Sequence, residues 1–281
     1  MKVLVTGASG SVGQLLVPML REKHEVVLFD RKDPGDGSTF IQGDVRDTEA
    51  VRKACEGVGA IAHLAAIFNC GRGRFWDAAG DEAAFAVNVW GTMNILEGAA
   101  TQGVKRVVYT SSVMAGGNCW PSIEDRLPAL EEDFSSPPDK YGLTKALGEK
   151  MCQHYAERRE LSTLCLRPGP IVPTANYKPR YWSMLFGSVH AADVARAHAL
   201  AVDAPEELRH GVYTIASDSP LNQVDPSTYK QDPLGTLEKL FPGIQAELTD
   251  DQKRDFARNG WFSIEAARRA FGYKPQYNFN F

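Results

Sequence analysis

The chain has 281 residues, 43% hydrophobic and 23% charged, enough for one large domain or two small ones with a buried core. With 31 Lys and Arg against 35 Asp and Glu, its formal charge of −4 argues against a nucleic-acid partner held on a broad basic face. No apolar run approaches the roughly 20 residues of a membrane helix, and Cys55, Cys70, Cys119, Cys152 and Cys165 form no C-x-x-C pair, so a reduced, metal-free, cytoplasmic protein is expected.

A strand is expected at Lys2–Thr6, which leaves no room for a signal peptide before it. Val12, Leu15, Leu16, Met19 and Leu20 then follow helical spacing, and Pro18 predicts a kink. Further strands are expected at Glu25–Asp30, Thr39–Asp44, Ala60–Ala66, Arg106–Ser112, Ser162–Arg167 and Val212–Ala216. Helical patterns at Thr48–Glu56, Glu82–Thr101, Asp139–Arg159 and Ala191–Asp203 alternate with them. Several strands are apolar throughout, as in a parallel sheet covered on both faces. The alternation predicts an α/β, Rossmann-type doubly wound parallel sheet. Residues 113–138 and 168–190 break the rhythm, and Gln223–Pro233 reads as an exposed loop. The expected division is a dinucleotide-binding domain over 1–167 and 188–217, with a small substrate lobe from 168–187 and 218–281.

Gly7-Ala8-Ser9-Gly10-Ser11-Val12-Gly13 joins the first strand to the first helix. Small residues there let the backbone approach a pyrophosphate resting on the helix N-terminus. Asp30 closes the next strand, 17 positions after Gly13, and its carboxylate suits an unphosphorylated adenosine ribose, hence NAD. Arg31 beside it could pair with a 2′-phosphate and keeps NADP open. Tyr141 and Lys145 lie at i and i+4 on one helix face. A cation about 4 Å from a phenol, at an effective dielectric of about 20, contributes on the order of 4 kcal/mol, enough to draw the phenol into acid–base work near neutrality. Ser111 and Ser112 end a strand at the sheet edge where doubly wound folds bind ligands.

These segments, with Gly43-Asp44-Val45-Arg46-Asp47, His63-Leu64-Ala65-Ala66, Val87-Asn88-Val89-Trp90-Gly91-Thr92, Leu166-Arg167-Pro168-Gly169 and Val189-His190-Ala191-Ala192-Asp193, resemble the extended short-chain dehydrogenase/reductase, or NAD-dependent epimerase/dehydratase, family over nearly the whole chain. The resemblance implies that Gly7, Ser9, Gly10, Ser11, Val12 and Gly13 hold the pyrophosphate, Asp30 and Arg31 the ribose, and Asp44 and Val45 the adenine. Leu64, Ala65 and Ala66 would lie along the cofactor, and Asn88, Ser111, Tyr141, Lys145 and Pro168 would complete its site. It also implies that Tyr141 is the acid–base, that Ser112 hydrogen-bonds the carbinol oxygen, and that Lys145 holds the nicotinamide ribose while a hydride passes to or from the nicotinamide.

Ser112 is followed by Val113-Met114-Ala115 with no carboxylate, which argues against dehydration. Arg167 and His190 are only 23 positions apart, short for a lobe that grips a nucleotide-sugar. Compact uronate dehydrogenase-like members share this feature, and Asn176-Tyr177 followed by Arg180 resembles them, although those enzymes carry Asn-His after the serine. Ser112, Met114, Phe75, Asn176 and Arg180 are the expected substrate contacts, and Arg72, Arg74 and Trp76 sit in the same loop as Phe75. His190 and Asp193 can equally be structural residues at a helix start. The expected activity is an NAD(P)-dependent dehydrogenase or reductase of a sugar-like alcohol or aldehyde, of aldose or uronate type. A nucleotide-sugar 4-epimerase and a non-catalytic NAD(P) sensor are the alternatives. The resemblance further implies a homodimer built on the helices near 82–101 and 139–159, with Trp90, Leu96, Met151 and Tyr155 as contributors.

Overall fold

The computed structural model describes residues 1–35, 37–68, 78–117, 120–133, 136–178 and 181–281. The expectations placed on Cys70, Arg72, Arg74, Phe75, Trp76, Cys119 and Arg180 lie outside these residues. Cys55, Cys152 and Cys165 are free thiols in the core.

Seven strands form one parallel sheet: β1 (Lys2–Thr6), β2 (Glu25–Asp30), β3 (Thr39–Gln42), β4 (Ala60–His63), β5 (Arg106–Thr110), β6 (Ser162–Pro168) and β9 (His210–Ile215). Their spatial order is β3-β2-β1-β4-β5-β6-β9. The remaining two, β7 (Ile171–Val172) and β8 (Val189–His190), pair separately. In β1, Val3 and Val5 enter one core and Leu4 the opposite one, so the strand is apolar along its whole length because both faces are covered. On one face lie α1 (Ser11–Arg21), α6 (Ala191–Val202) and α11 (Glu265–Phe271). The other carries α2 (Thr48–Ala54), α4 (Gly91–Thr101) and α5 (Lys140–Arg158).

The expected strands at 39–44, 60–66 and 106–112 end two or three residues early. Asp44, Leu64 to Ala66, and Ser111 and Ser112 therefore leave the ladder as loops along its C-terminal edge, where such folds bind ligands. The helix expected at 82–101 begins earlier, as α3 (Ala78–Phe85), and passes through a π-helical turn at Ala86–Trp90 before α4. Helix α1 runs unbroken to Arg21, with Pro18 on its exposed side.

A third core gathers Ile123, Leu127, Met184 to Phe186, Tyr229, Phe256, Trp261 and Phe279. Gln223–Pro233 is not an exposed loop. It contains α7 (Pro226–Gln231), and α8 (Pro233–Leu240) starts at its end. Tyr229 is fully buried there, its hydroxyl donating to the Phe256 carbonyl at 2.9 Å. Short helices α9 (Ile244–Glu247) and α10 (Asp250–Phe256) complete this part. The final segment is tied back to the sheet: the buried Asp193 carboxylate, in the first turn of α6, accepts the backbone N–H groups of Gln276 and Tyr277, each at 2.9 Å.

Candidate active site

The loop after β1 is shaped for an anion. Gly7 has φ +70, and a Cβ there would lie 2.7 Å from the Ala65 nitrogen. One on Gly13 would lie 2.5 Å from the Gly7 carbonyl oxygen, so the first turn of α1 closes directly on the loop. The helix is capped by Gly10, which has no side chain to satisfy the first N–H groups, and its first turn holds no acidic residue. Those open donors and the helix dipole fit a pyrophosphate. Beside the loop, Asp30 accepts Ser9 N–H at 3.0 Å and Lys32 N–H at 3.3 Å, which fixes its carboxylate.

A cleft of about 370 Å³ runs over this edge. Of the sequence-predicted cofactor residues, Gly7, Ser9, Gly10, Asp30, Arg31, Asp44, Val45, Leu64, Ala65 and Ala66 line it. Ser11, Val12 and Gly13 stand just behind, in the first turn of α1. The Asp44 carboxylate accepts Arg46 Nε at 3.0 Å and Nη2 at 2.7 Å, and this pairing holds its carboxyl below the usual range. Lys32 also lines the cleft, a second cation beside Arg31 that the sequence reading missed although it directly follows the Asp30-Arg31 pair.

Farther along the same edge, Ser112 follows β5 by two residues. Its Oγ accepts Met114 N–H at 3.2 Å and so caps the short turn Val113–Ala115. Helix α5 starts beside that turn: Asp139 caps it by accepting Gly142 N–H at 2.7 Å. A Cβ on Gly142 would overlap the Met114 carbonyl, so the glycine lets the helix start press against the serine turn. Tyr141 and Ser112 are thereby brought to one place, both at least nine-tenths buried. One turn on, Lys145 is 2% exposed and donates from Nζ to the Thr110 carbonyl at 2.8 Å. That Nζ lies 5.9 Å from the centre of the Tyr141 ring and 5.1 Å from that of Tyr109. Burial pulls the Lys145 ammonium down to about 7, against an opposing pull from the Glu149 carboxylate.

The two buried histidines near this cation are neutral. His63 is pushed down to about 3 and His198 to about 4, in each case first by burial. Thr110 Oγ1 and His198 Nε2 are 2.6 Å apart, and His198 Nδ1 and the Val194 carbonyl 2.8 Å apart. Asn88, in the π-turn, bonds both backbone groups of Ile67 and donates to Thr144 Oγ1 at 3.0 Å. Thr144 in turn donates to the Tyr141 carbonyl at 2.7 Å, so Asn88 braces the tyrosine turn from behind. A π-turn at such a place is a common way to aim one side chain inward.

The Ser111 hydroxyl donates to Glu149 Oε1 at 2.5 Å. Glu149 also takes Arg167 Nε and Nη2, each at 2.8 Å, and Arg167 Nη1 reaches the Glu131 carbonyl at 3.0 Å. Glu149 continues the spacing of Tyr141 and Lys145 by another four residues. That spacing is the signal by which it could have been found. Pro168 is buried at the end of β6, Met114 is half-buried, and Asn176 is exposed on a turn at Thr174–Asn176. His190 caps α6 through Nδ1, which accepts Ala192 N–H at 3.2 Å, and its ring stacks on Tyr277 at 3.8 Å. Phe68, which the sequence left unassigned, packs T-shaped against Tyr141 with the ring centres 4.8 Å apart and is 64% exposed.

Among the described residues no group of three or more His, Cys, Asp or Glu could hold a metal, and no helix is long and apolar enough to cross a membrane. A 2-alkyl-3-oxoalkanoate reductase of Stenotrophomonas maltophilia is 30% identical over 98% of this chain and 95% of its own length. An L-arabinose 1-dehydrogenase (NAD(P)(+)) of Haloferax volcanii is 30% identical over 78% of this chain and 85% of its own. A mutated uronate dehydrogenase superposes with a TM-score of 0.70 at 25% identity, covering 98% of this chain and 81% of that one. The family model for the NAD dependent epimerase/dehydratase family matches residues 3–187. With its phosphate loop, its parallel sheet and these relatives, the chain belongs to the NAD-dependent epimerase/dehydratase family and is an NAD-dependent enzyme of the short-chain dehydrogenase/reductase type.

Proposed function

We infer that the enzyme interconverts a secondary carbinol and its carbonyl, with Tyr141 moving the proton at the substrate oxygen. The observation that carries this is the packing of Gly142 on the Met114 carbonyl, which joins Tyr141 to the Ser112 turn with Lys145 beneath. The nicotinamide, when bound, supplies or accepts the hydride. The Ser112 hydroxyl accepts one backbone N–H and keeps its own proton to donate to the substrate oxygen. Lys145, charged, stabilises negative charge on the phenol and on the reacting oxygen. The fixed Asp30 carboxylate supports NAD as the preferred cofactor. Arg31 and Lys32 on the same cleft support some use of NADP.

The test is Tyr141→Phe. Turnover falls by a factor of about 10²–10⁴, while NADH binds as before in calorimetry. Wild-type turnover in this variant would overturn the assignment. Stoichiometric NADH formation separates a dehydrogenase from a 4-epimerase, which returns its hydride.

For the substrate there are two readings. The L-arabinose dehydrogenase relative supports the sugar-like alcohol or aldehyde expected from the sequence. The exposed Phe68 ring against Tyr141 favours a more apolar carbonyl compound, in keeping with the 2-alkyl-3-oxoalkanoate reductase relative.

A homodimer is supported by Trp90, Met93, Leu143 and Leu147, which stand 37–56% exposed along the π-turn, α4 and α5. Met151 lines a groove on that face, whereas Leu96 is fully buried in the core and Tyr155 is buried with its hydroxyl on Glu97. Twice the chain mass in light scattering is the expected result.

A further inference from the structure

A second cleft, of about 450 Å³, opens beside the catalytic edge of the sheet. It begins where β6 ends. Thr110 of β5 is in register with Leu166 of β6, so Ser112 and Pro168 each lie two residues beyond a paired position on neighbouring strands. Pro170, which lines the cleft, is only two residues past Pro168, a reach of about 7 Å at most. Ile171 and Val172 continue that wall, and the aromatic side chains of Trp120, Tyr181 and Trp182 line the same space.

This lining is uncharged and mostly apolar or aromatic. Ser183, Ser188 and Gln252 are its polar members, and no described lining residue carries a charge. Ile171 is 40% and Tyr181 36% exposed, a cost in water that a ligand's apolar surface would remove. Phe68 adds exposed apolar surface at Tyr141 itself.

We propose that this cleft holds the apolar body of the substrate, an alicyclic ring or acyl chain, while its carbonyl or carbinol is presented to Ser112 and Tyr141. The inference rests on the oxidoreductase reading of Tyr141 and goes beyond it in naming the substrate class. A polyol would find partners for only some of its hydroxyls, at Ser183, Ser188 and Gln252, whereas a lipid-like or alicyclic ketone would bury its carbon skeleton against Pro170, Ile171, Val172 and Trp182.

The experiment uses the full-length enzyme with NADH and a series of ketones: cyclohexanone and its methyl, propyl and pentyl derivatives, with L-arabinose and D-glucuronate plus NAD as the polar comparison. Each methylene that enters the cleft should raise kcat/KM about fourfold, and the sugars should be poor. Ile171→Ser and Tyr181→Ser should lower kcat/KM for the pentyl ketone about tenfold, mainly through KM. Ketone binding is read separately from turnover by quenching of tryptophan fluorescence, in wild type and in Tyr141→Phe. A flat response to chain length in both turnover and quenching, or a clear preference for the sugars, overturns the inference and leaves the role of Tyr141 standing. Affinity that climbs with chain length while no ketone is reduced upholds the cleft and sinks the oxidoreductase reading.

Discussion

Replacing Glu149 by Gln tests the charge arrangement under the site. Glu149 and Arg167 have side chains only 9% and 12% exposed, joined by two hydrogen bonds of 2.8 Å. Removing one partner of such a pair typically costs about 3–5 kcal/mol, because the other charge stays buried alone. The new amide keeps one acceptor oxygen and Arg167 keeps the Glu131 carbonyl, so the lower end applies, about 3 kcal/mol. Against a usual total of about 5–15 kcal/mol this is a large loss. It should lower the urea midpoint by about 1 M. A second effect is independent of stability. Lys145 loses the carboxylate that opposes its burial and moves further below about 7, so NADH affinity should begin to fall at a lower pH than in wild type. Replacing both partners with apolar residues, Glu149→Leu with Arg167→Met, should restore much of the stability but not the pH profile. A Glu149→Gln enzyme with the wild-type midpoint and an unmoved profile would refute the reasoning.

Gly142→Ala should push the start of α5 off the Met114 carbonyl and separate Tyr141 from Ser112; kcat should fall at least tenfold, with NADH affinity in calorimetry unchanged. Asp30→Ala should weaken NAD by about tenfold, one charge-assisted hydrogen bond, and weaken NADP less; equal losses would argue that the carboxylate does not read the ribose. The pH dependence of Lys145 has a definite sign. Its folded value of about 7 lies below the ordinary 10.5, so the folded chain releases this proton first. Its burial penalty is therefore full below about pH 7 and fades as pH rises from there towards 10.5, while affinity for the anionic cofactor falls over the same range. Denaturation and NADH titrations from pH 6 to 10 should show those opposite trends, and Lys145→Met should remove both.

The sheet was legible because its strands are apolar on both faces, as Val3, Leu4 and Val5 illustrate, and because small residues mark where β1 turns into α1. The part around α7 and α8 was not. Asp225-Pro226 and Asp232-Pro233 look like loop signals, yet in both the aspartate caps a helix whose first residue is the proline. Helices of six and eight residues are too short to show a period, and Tyr229 alone marks the buried side of the first. In the candidate site, the spacing of Tyr141 and Lys145 and the strand end at Ser111 and Ser112 could be read from the sequence, and likeness to the family singled out Ser112. Asn88 was placed only by likeness, because a π-turn leaves no periodic trace. Glu149 and Arg167 lie 18 positions apart, and only the fold brings them together. For the second cleft the sequence pointed to the segments at 113–138 and 168–187 but not to how Trp120, the turn after β6 and Gln252 meet, since they lie far apart in sequence.

The clasp on Asp193 gives synthesis a waiting time. Gln276 comes 83 residues after the carboxylate that binds it. At about 5–20 residues per second, roughly 4–17 seconds pass between the two on the ribosome. Through the later part of that interval the strands through β9 are made, but the Asp193 carboxylate lacks its two backbone donors and holds only Arg196 Nε at 3.5 Å, so burying it would be costly. The nascent chain therefore keeps this corner wet, with the third core open beside it and Phe279 still to come. A chaperone that recognises exposed aromatic surface has its opportunity then, and loss of the last few residues would hold the protein in that state.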